Sequence, residues 1–134
     1  MKFLMLLLAL VMVFAVWVRV APSDAMRWHK MREIEADRDL EGGMLRVVET
    51  GPDGLARLDK VARATARTSV LAGSVEEGMI TYVTRTVAWG FPDYTTVRQT
   101  GDRLEIYARL RFGRKDFGVN KARVEGWLAA LGQG

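Results

Sequence analysis

Residues Arg103–Phe112, RLEIYARLRF, decide the fold. Leu104, Ile106, Ala108, Leu110 and Phe112 alternate with Glu105, Tyr107, Arg109 and Arg111, and a two-residue period marks a strand with one face on a core and the other toward water. Gly78–Val87 and Tyr94–Gln99 precede it as strand-like runs, Thr68–Leu71 adds a short one, and MLRVVE at Met44–Glu49 reads as another. Leu55, Leu58, Val61 and Ala62 recur at helical spacing after the turn Thr50–Gly54, so Gly54 to Thr65 is expected as an amphipathic helix with Asp53 as its N-cap. Val124, Trp127, Leu128 and Leu131 form the apolar stripe of a closing helix over Gly118–Leu131. The expected order is β-α-β-β-β-β-α. Short connections between successive strands imply a small antiparallel sheet of four to five strands with both helices on its apolar face, an α+β domain over residues 44–134.

The amino terminus is of another kind. Phe3 to Val18, FLMLLLALVMVFAVWV, is sixteen residues without a polar side chain between Lys2 and Arg19. As a helix it covers about 24 Å, and about 28 Å if continued to Ala21 with Arg19 snorkelling. That is just enough to cross a bilayer core, so residues 1–21 read as a single-pass membrane anchor. A cleaved signal segment is the rival; its apolar core is commonly about 7–15 residues, and Ser23-Asp24-Ala25 is a small-x-small pattern well past the run. Residues 22–43 are polar and read as a juxtamembrane linker. Arg19, Arg27, Lys30 and Arg32 follow the apolar run, which favours a cytoplasmic globular part, whereas a secretion-type N-terminus favours export; the expectation adopted is a periplasmic domain.

Composition removes many functions. The 134 residues include no cysteine and a single histidine, so disulfides, iron–sulfur clusters, thiolate zinc sites and cysteine nucleophiles are excluded, and no cofactor is implied. His29 has no second histidine beside it and is a poor metal ligand. Asp37, Asp39, Glu41 and Gly42 imitate the start of a calcium loop, but the twelfth position is Val48 and no flanking helix pair is evident. The formal net charge is +4, and the residues from Arg98 onward hold eight Lys+Arg against four Asp+Glu. Such a segment attracts anions, yet it lacks the density and interleaved aromatics of a nucleic-acid arm, so no nucleic acid is expected.

Two stretches carry chemistry. Gly113–Gly118 has G-x-x-x-x-G spacing but continues Val119-Asn120 rather than Lys-Ser/Thr, which rejects nucleotide hydrolysis and leaves the reading of a Gly-bounded turn with Asp116 capping the helix. Arg114 and Lys115 precede a helix N-terminus, where free N–H groups point outward, and with Arg109, Arg111, Arg85 and Asn120 they outline a candidate anion site. The competing reading pairs Asp93 and Asp116 with these arginines, Arg123 included, as ties between loops. Gly90-Phe91-Pro92-Asp93 reads as a tight connection, with Asp93 as a general base the sharper alternative.

Gly90–Asp93, in the setting TRTVAWGFPDYTTV, and Arg111–Arg123, RFGRKDFGVNKAR, resemble the domain-of-unknown-function family numbered fourteen ninety-nine, found in bacteria and plant chloroplasts. The pattern runs GFPD, then R-x-G-x-x-D-x-G-x-N-x-x-R into the last helix, and the similarity covers Met44 to Leu131. Similar members also begin with a hydrophobic segment leading into sequences like Ala21-Pro22-Ser23-Asp24 and Arg27-Trp28-His29. Many place serines just before the first arginine of the motif; here Ala108 and Leu110 stand there, so no serine nucleophile is available at those positions. The resemblance implies a domain and no activity. The expectation is a membrane-anchored, non-catalytic envelope domain that binds an anionic small molecule, lipid head group or acidic protein through its arginine-rich loop. The alternatives are a hydrolase-like enzyme using Asp93 or Asp116, and a purely structural interaction module.

Overall fold

The computed structural model describes residues 1–132. An apolar helix, α1 (Lys2–Val20), leads into a four-residue turn of helix, α2 (Ala25–Trp28), where the Asp24 carboxylate caps the Met26 amide. Six strands and two helices follow: β1 (Arg38–Leu40), β2 (Gly43–Glu49), α3 (Gly54–Ala64), β3 (Thr68–Ser74), β4 (Met79–Arg85), β5 (Pro92–Thr100), β6 (Arg103–Leu110) and α4 (Val119–Ala130). The sheet is antiparallel throughout, in the order β1-β2-β6-β5-β4-β3.

The α+β class, the antiparallel sheet and the N-terminal helix agree with expectation; the strand count and order do not. There are six strands rather than four to five, because β1 lies inside the segment read as a linker. It is three residues long with Leu40 as its one apolar side chain, too short for alternation to show, and it pairs with β2 across the two-residue turn Glu41-Gly42.

Register puts Met44, Val48, Leu104, Ile106, Ala108, Val97, Ile80 and Tyr82 on one face, where α3 and α4 cover them with Leu55, Leu58, Ala62, Val124, Trp127 and Leu128. Full burial of each large side chain here is worth about 1.5–3 kcal/mol. Polar contacts fix the helices on that core: Gln99 accepts the Leu55 amide at 2.9 Å, Trp127 donates its indole N–H to Thr65 Oγ1 at 2.8 Å, and the Tyr82 hydroxyl donates to Asp59 at 2.7 Å.

The second face was expected to be wet, and it is covered. Thr81, Tyr94, Thr96 and Arg109 are buried beneath residues 21–34, with Trp28 stacked on Tyr94 at 4.1 Å and Ile34 buried. Residues 22–43 are therefore part of the domain rather than a linker. The signal for this second layer lies in the threonines and tyrosines of β4 and β5, which neither demand nor exclude a cover.

Gly43 of β2 leaves no room for a side chain against β6. A Cβ there would stand 1.9 Å from the Ala108 carbonyl oxygen. Gly43→Ala is expected to cost about 1–3 kcal/mol or more, because two strands must part to admit the methyl group. Denaturant unfolding of the full chain in detergent checks this; an unchanged midpoint would contradict the pairing.

Candidate functional site

The arginines singled out from sequence do not converge on one loop. Arg109 and Arg111 share a sheet face with Arg85, as the two-residue period requires, and each of the three donates to a main-chain carbonyl of the N-terminal segment. Arg85 reaches Val18 O at 3.1 Å, Arg111 reaches Pro22 O at 3.0 Å, and Arg109 reaches Trp28 O. Val18 O is among the last carbonyls of α1, which lack partners within the helix, so Arg85 satisfies it and opposes the negative end of the helix dipole. Ser23 and Arg111 both hydrogen-bond the Tyr94 hydroxyl, at 2.7 and 3.2 Å, and His29 Nδ1 is 2.8 Å from Thr81 Oγ1.

Arg109 is the most enclosed of these cations, at 9% exposure. It also donates to Thr96 Oγ1 at 2.8 Å and to Tyr107 O at 3.1 Å, and it lies 4.3 Å from the centre of the Tyr107 ring and 5.7 Å from that of Trp28. Carbonyls, a hydroxyl and ring faces surround it, and among the described residues no carboxylate pairs with it. Burial accordingly pulls its pKa down to about 10, against the opposing pull of Tyr107 and Tyr94.

Beside it opens a cleft of about 310 Å³ lined by Arg27, Trp28, Lys30, Met31, Arg32, Tyr107 and Arg109. Four cations and two aromatic rings meet there, and no acidic residue lines it. Arg27 lies 4.8 Å over the Trp28 ring and Arg32 5.7 Å over Tyr107. Among the described residues, none of the four cations has a carboxylate within ion-pair distance. Sequence reasoning missed Arg27, Lys30 and Arg32 as site residues, because it read them as juxtamembrane charge. A larger hollow, about 830 Å³, lies between β1 and α4, but its lining includes Asp37, Asp39 and Glu125, and Arg46 meets Asp39 at 2.7 Å and Glu125 at 3.6 Å. Lys121 joins the same Asp39 at 2.8 Å, and these two hydrogen bonds hold the Asp39 carboxyl below its usual value.

Asn120 and the remaining motif residues form a separate network under the opposite face. Asp116 occupies the helix N-terminus that sequence had offered to an external anion: its carboxylate accepts the Gly118 and Asn120 amides at 3.0 Å each and the Asn120 side-chain amide at 2.8 Å. Arg123 donates to Asn120 Oδ1 at 2.8 Å and to Asp93 Oδ2 at 3.2 Å, which links α4 to the start of β5. Asp116 thus serves the backbone rather than an arginine. Gly113 and Gly118 both take positive φ, at 97° and 79°, and bound the loop that delivers Asp116. Arg114 sits exposed on that loop, away from Arg109. Gly90, Phe91 and Pro92 form the connection expected of them: Thr86 and Phe91 close it through main-chain and hydroxyl hydrogen bonds, and Arg85 donates to Gly90 O at 2.9 Å. No group of three or more metal-ligating side chains gathers among the described residues.

Residues 22–131 match the family model described as "Protein of unknown function (DUF1499)". The match begins 22 residues before the stretch on which the resemblance was first read, and so takes in the segment that covers the second face. No curated protein matches the chain.

Asp93 is buried, and that burial pushes its carboxyl above the usual value, with Arg123 pulling the other way. An unfolded aspartate titrates near about 3.9, so the folded chain holds this proton more tightly and its stability falls as pH rises through the native Asp93 pKa. Asp93→Asn has no proton to lose there. The melting temperature of Asp93→Asn should therefore rise relative to wild type between acid and neutral pH. The opposite slope would mean that attraction to Arg123 outweighs burial.

Proposed function

The chain belongs to the DUF1499 family, and on that premise we propose that it is a membrane-anchored, non-catalytic domain that binds an anionic ligand in the Arg27–Lys30–Arg32–Arg109 cleft. One observation carries the reading: four unpaired cations converge on a single cleft whose lining holds no carboxylate. Arg109 supplies a fixed, partly desolvated charge at the base, and the exposed Arg27, Lys30 and Arg32 supply adaptable donors at the mouth. Trp28 and Tyr107 give a planar or apolar portion of the ligand somewhere to rest. A phosphate-bearing small molecule or a lipid head group fits this donor set.

The catalytic alternative has less support. Asp93 and Asp116 lie in the network under the opposite face, already engaged by Arg123 and by the amides of α4. A structural role has specific support at Arg85 and Arg111, whose carbonyl bonds hold the N-terminal segment in place.

Helix α1 is long and apolar enough to cross a membrane, and only 6% of its most apolar stretch is buried in the domain. Its last turns pack on the domain, with Val18 fully buried, which supports an uncleaved anchor. Lys2 followed by a long apolar run supports export. An alkaline phosphatase fused to the C-terminus should then be active in intact cells, whereas activity only after lysis would place the domain in the cytoplasm.

Binding is tested by thermal unfolding of the full chain in neutral detergent with inorganic pyrophosphate. At a hundredfold its Kd, a ligand adds about 2.7 kcal/mol. The double substitution Arg27→Gln, Arg32→Gln should abolish the shift and leave the ligand-free melting temperature nearly unchanged, since both side chains are exposed. A shift that survives the substitution, or none in the wild type, would overturn the site.

A further inference from the structure

Two loops at one end of the sheet carry apolar side chains outward. On the β4–β5 connection Val87 is 80% exposed and Trp89 45%; on the segment joining β6 to α4 Phe117 is 91% exposed, and Val119 at the start of α4 is 45% exposed. Phe117 is also held at φ 55°, a left-handed conformation uncommon for a bulky residue, which keeps the ring turned away from the domain.

These loops run alongside α1. Phe14 meets Phe91 with ring centres 6.4 Å apart, Trp17 meets Phe112 at 5.5 Å, and Trp89 stacks on Phe91 at 6.0 Å. A cleft of about 310 Å³ is lined by Leu10, Val11, Phe14, Trp89 and Phe91, so the β4–β5 loop reaches as far along the helix as Leu10. From Val18 to Leu10 is about 12 Å of helix. If that stretch lay outside the bilayer, only Lys2–Ala9 would remain to cross it, again about 12 Å against a hydrocarbon core of about 30 Å. A spanning α1 therefore carries the loop with it into the bilayer.

Part of the loop's backbone is already satisfied for that setting. Backbone polar groups in a membrane need internal partners. Thr86 N–H bonds Phe91 O at 2.9 Å, Gly90 N–H bonds Thr86 O at 3.1 Å, and the Phe91 amide bonds Thr86 Oγ1 at 3.0 Å. Arg85 takes the Gly90 carbonyl at 2.9 Å and Arg19 takes that of Ala88 at 3.2 Å. Arg114 and Lys115 stand exposed on the neighbouring loop, where lipid phosphates would meet them.

We propose that residues 86–91 and 112–119 form a second membrane-inserting element, which seats this end of the sheet in the phospholipid bilayer that α1 crosses. Val87, Trp89 and Phe117 enter the apolar layer, and Arg114 and Lys115 engage the phosphate layer. The inference rests on the reading of α1 as a membrane anchor and fixes the orientation of the domain, which an anchor alone leaves free.

The absence of cysteine makes the test direct. The variants Met5→Cys, Val87→Cys, Phe117→Cys, Glu77→Cys and Asp102→Cys of the full chain are spin-labelled in vesicles of phosphatidylcholine and phosphatidylglycerol. Collision with oxygen is then compared with collision with a water-soluble nickel chelate. Labels at 5, 87 and 117 should favour oxygen, and labels at 77 and 102, in the turns at the far end of the sheet, should favour nickel. Labels at 87 and 117 that behave like those at 77 and 102, with 5 still in lipid, would overturn the second element and leave the anchor standing. A label at 5 that also favours nickel would overturn both.

Discussion

The structure depends on the burial of arginine without a matching carboxylate. Arg85 of β4, Arg109 of β6 and Arg111 just after it stand on one face, and their guanidinium groups find main-chain carbonyls at Val18, Trp28 and Pro22. A buried cation demands hydrogen-bond acceptors with a net dipole, and a carbonyl at the end of a helix or turn supplies one at no cost in counter-charge. The covering segment is therefore specified by where its carbonyls lie. Its path from α1 across the sheet to Ile34 follows from that requirement, aided by Trp28 on Tyr94.

The two faces divide the work. Beneath α3 and α4 the core is apolar and its charges are matched: Asp93 with Arg123, Asp116 with the amides of α4. On the other face Arg98 meets Glu105 at 3.1 Å, but around Arg109 the charge is unmatched. Arg109 gains polar contacts and ring faces, and the three cations at the mouth of its cleft add to a positive potential that nothing local cancels. The buried carboxylates Asp93 and Glu105 each meet an arginine, whereas Arg109 meets no carboxylate among the described residues, a contrast that folding alone does not require.

Much of the first face was legible in the sequence. The alternation of Leu104 to Phe112 placed β6, and the stripes at Leu55–Ala62 and Val124–Leu128 placed α3 and α4 on it. The motif glycines and Asp116 were legible as a helix-capping loop. The second layer was not, because a carbonyl partner carries no side-chain signature: nothing in Pro22 or Trp28 announces that its oxygen will meet an arginine 89 or 81 residues later. Alternation showed that Arg109 and Arg111 share a face and was silent on what covers it. Arg27, Lys30 and Arg32 were read through their position beside an apolar run, which is a rule about membrane topology, and that rule obscured their convergence on Tyr107. The helix N-terminus failed as an anion site for a reason equally local: Asp116, two residues ahead of the Gly118 cap, was already near enough to fill it.

The same carbonyl bonds bear on whether α1 stays attached. Removal of residues up to Ala25 would strip Arg85 of Val18 O and Arg111 of Pro22 O, free the Tyr94 hydroxyl of Ser23, and uncover Phe91 and Phe112. Each half-buried guanidinium would then need water where the fold now offers a carbonyl, and two aromatic rings would lose their apolar cover. A signal segment has no reason to be built into the domain it delivers, because its removal must leave a stable product. Here the last turn of the apolar helix is a structural part of the sheet's second face, with Val18 and Ala21 buried in it. That arrangement favours retention of α1, whose last turn is packed into the domain rather than joined to it by a free tether.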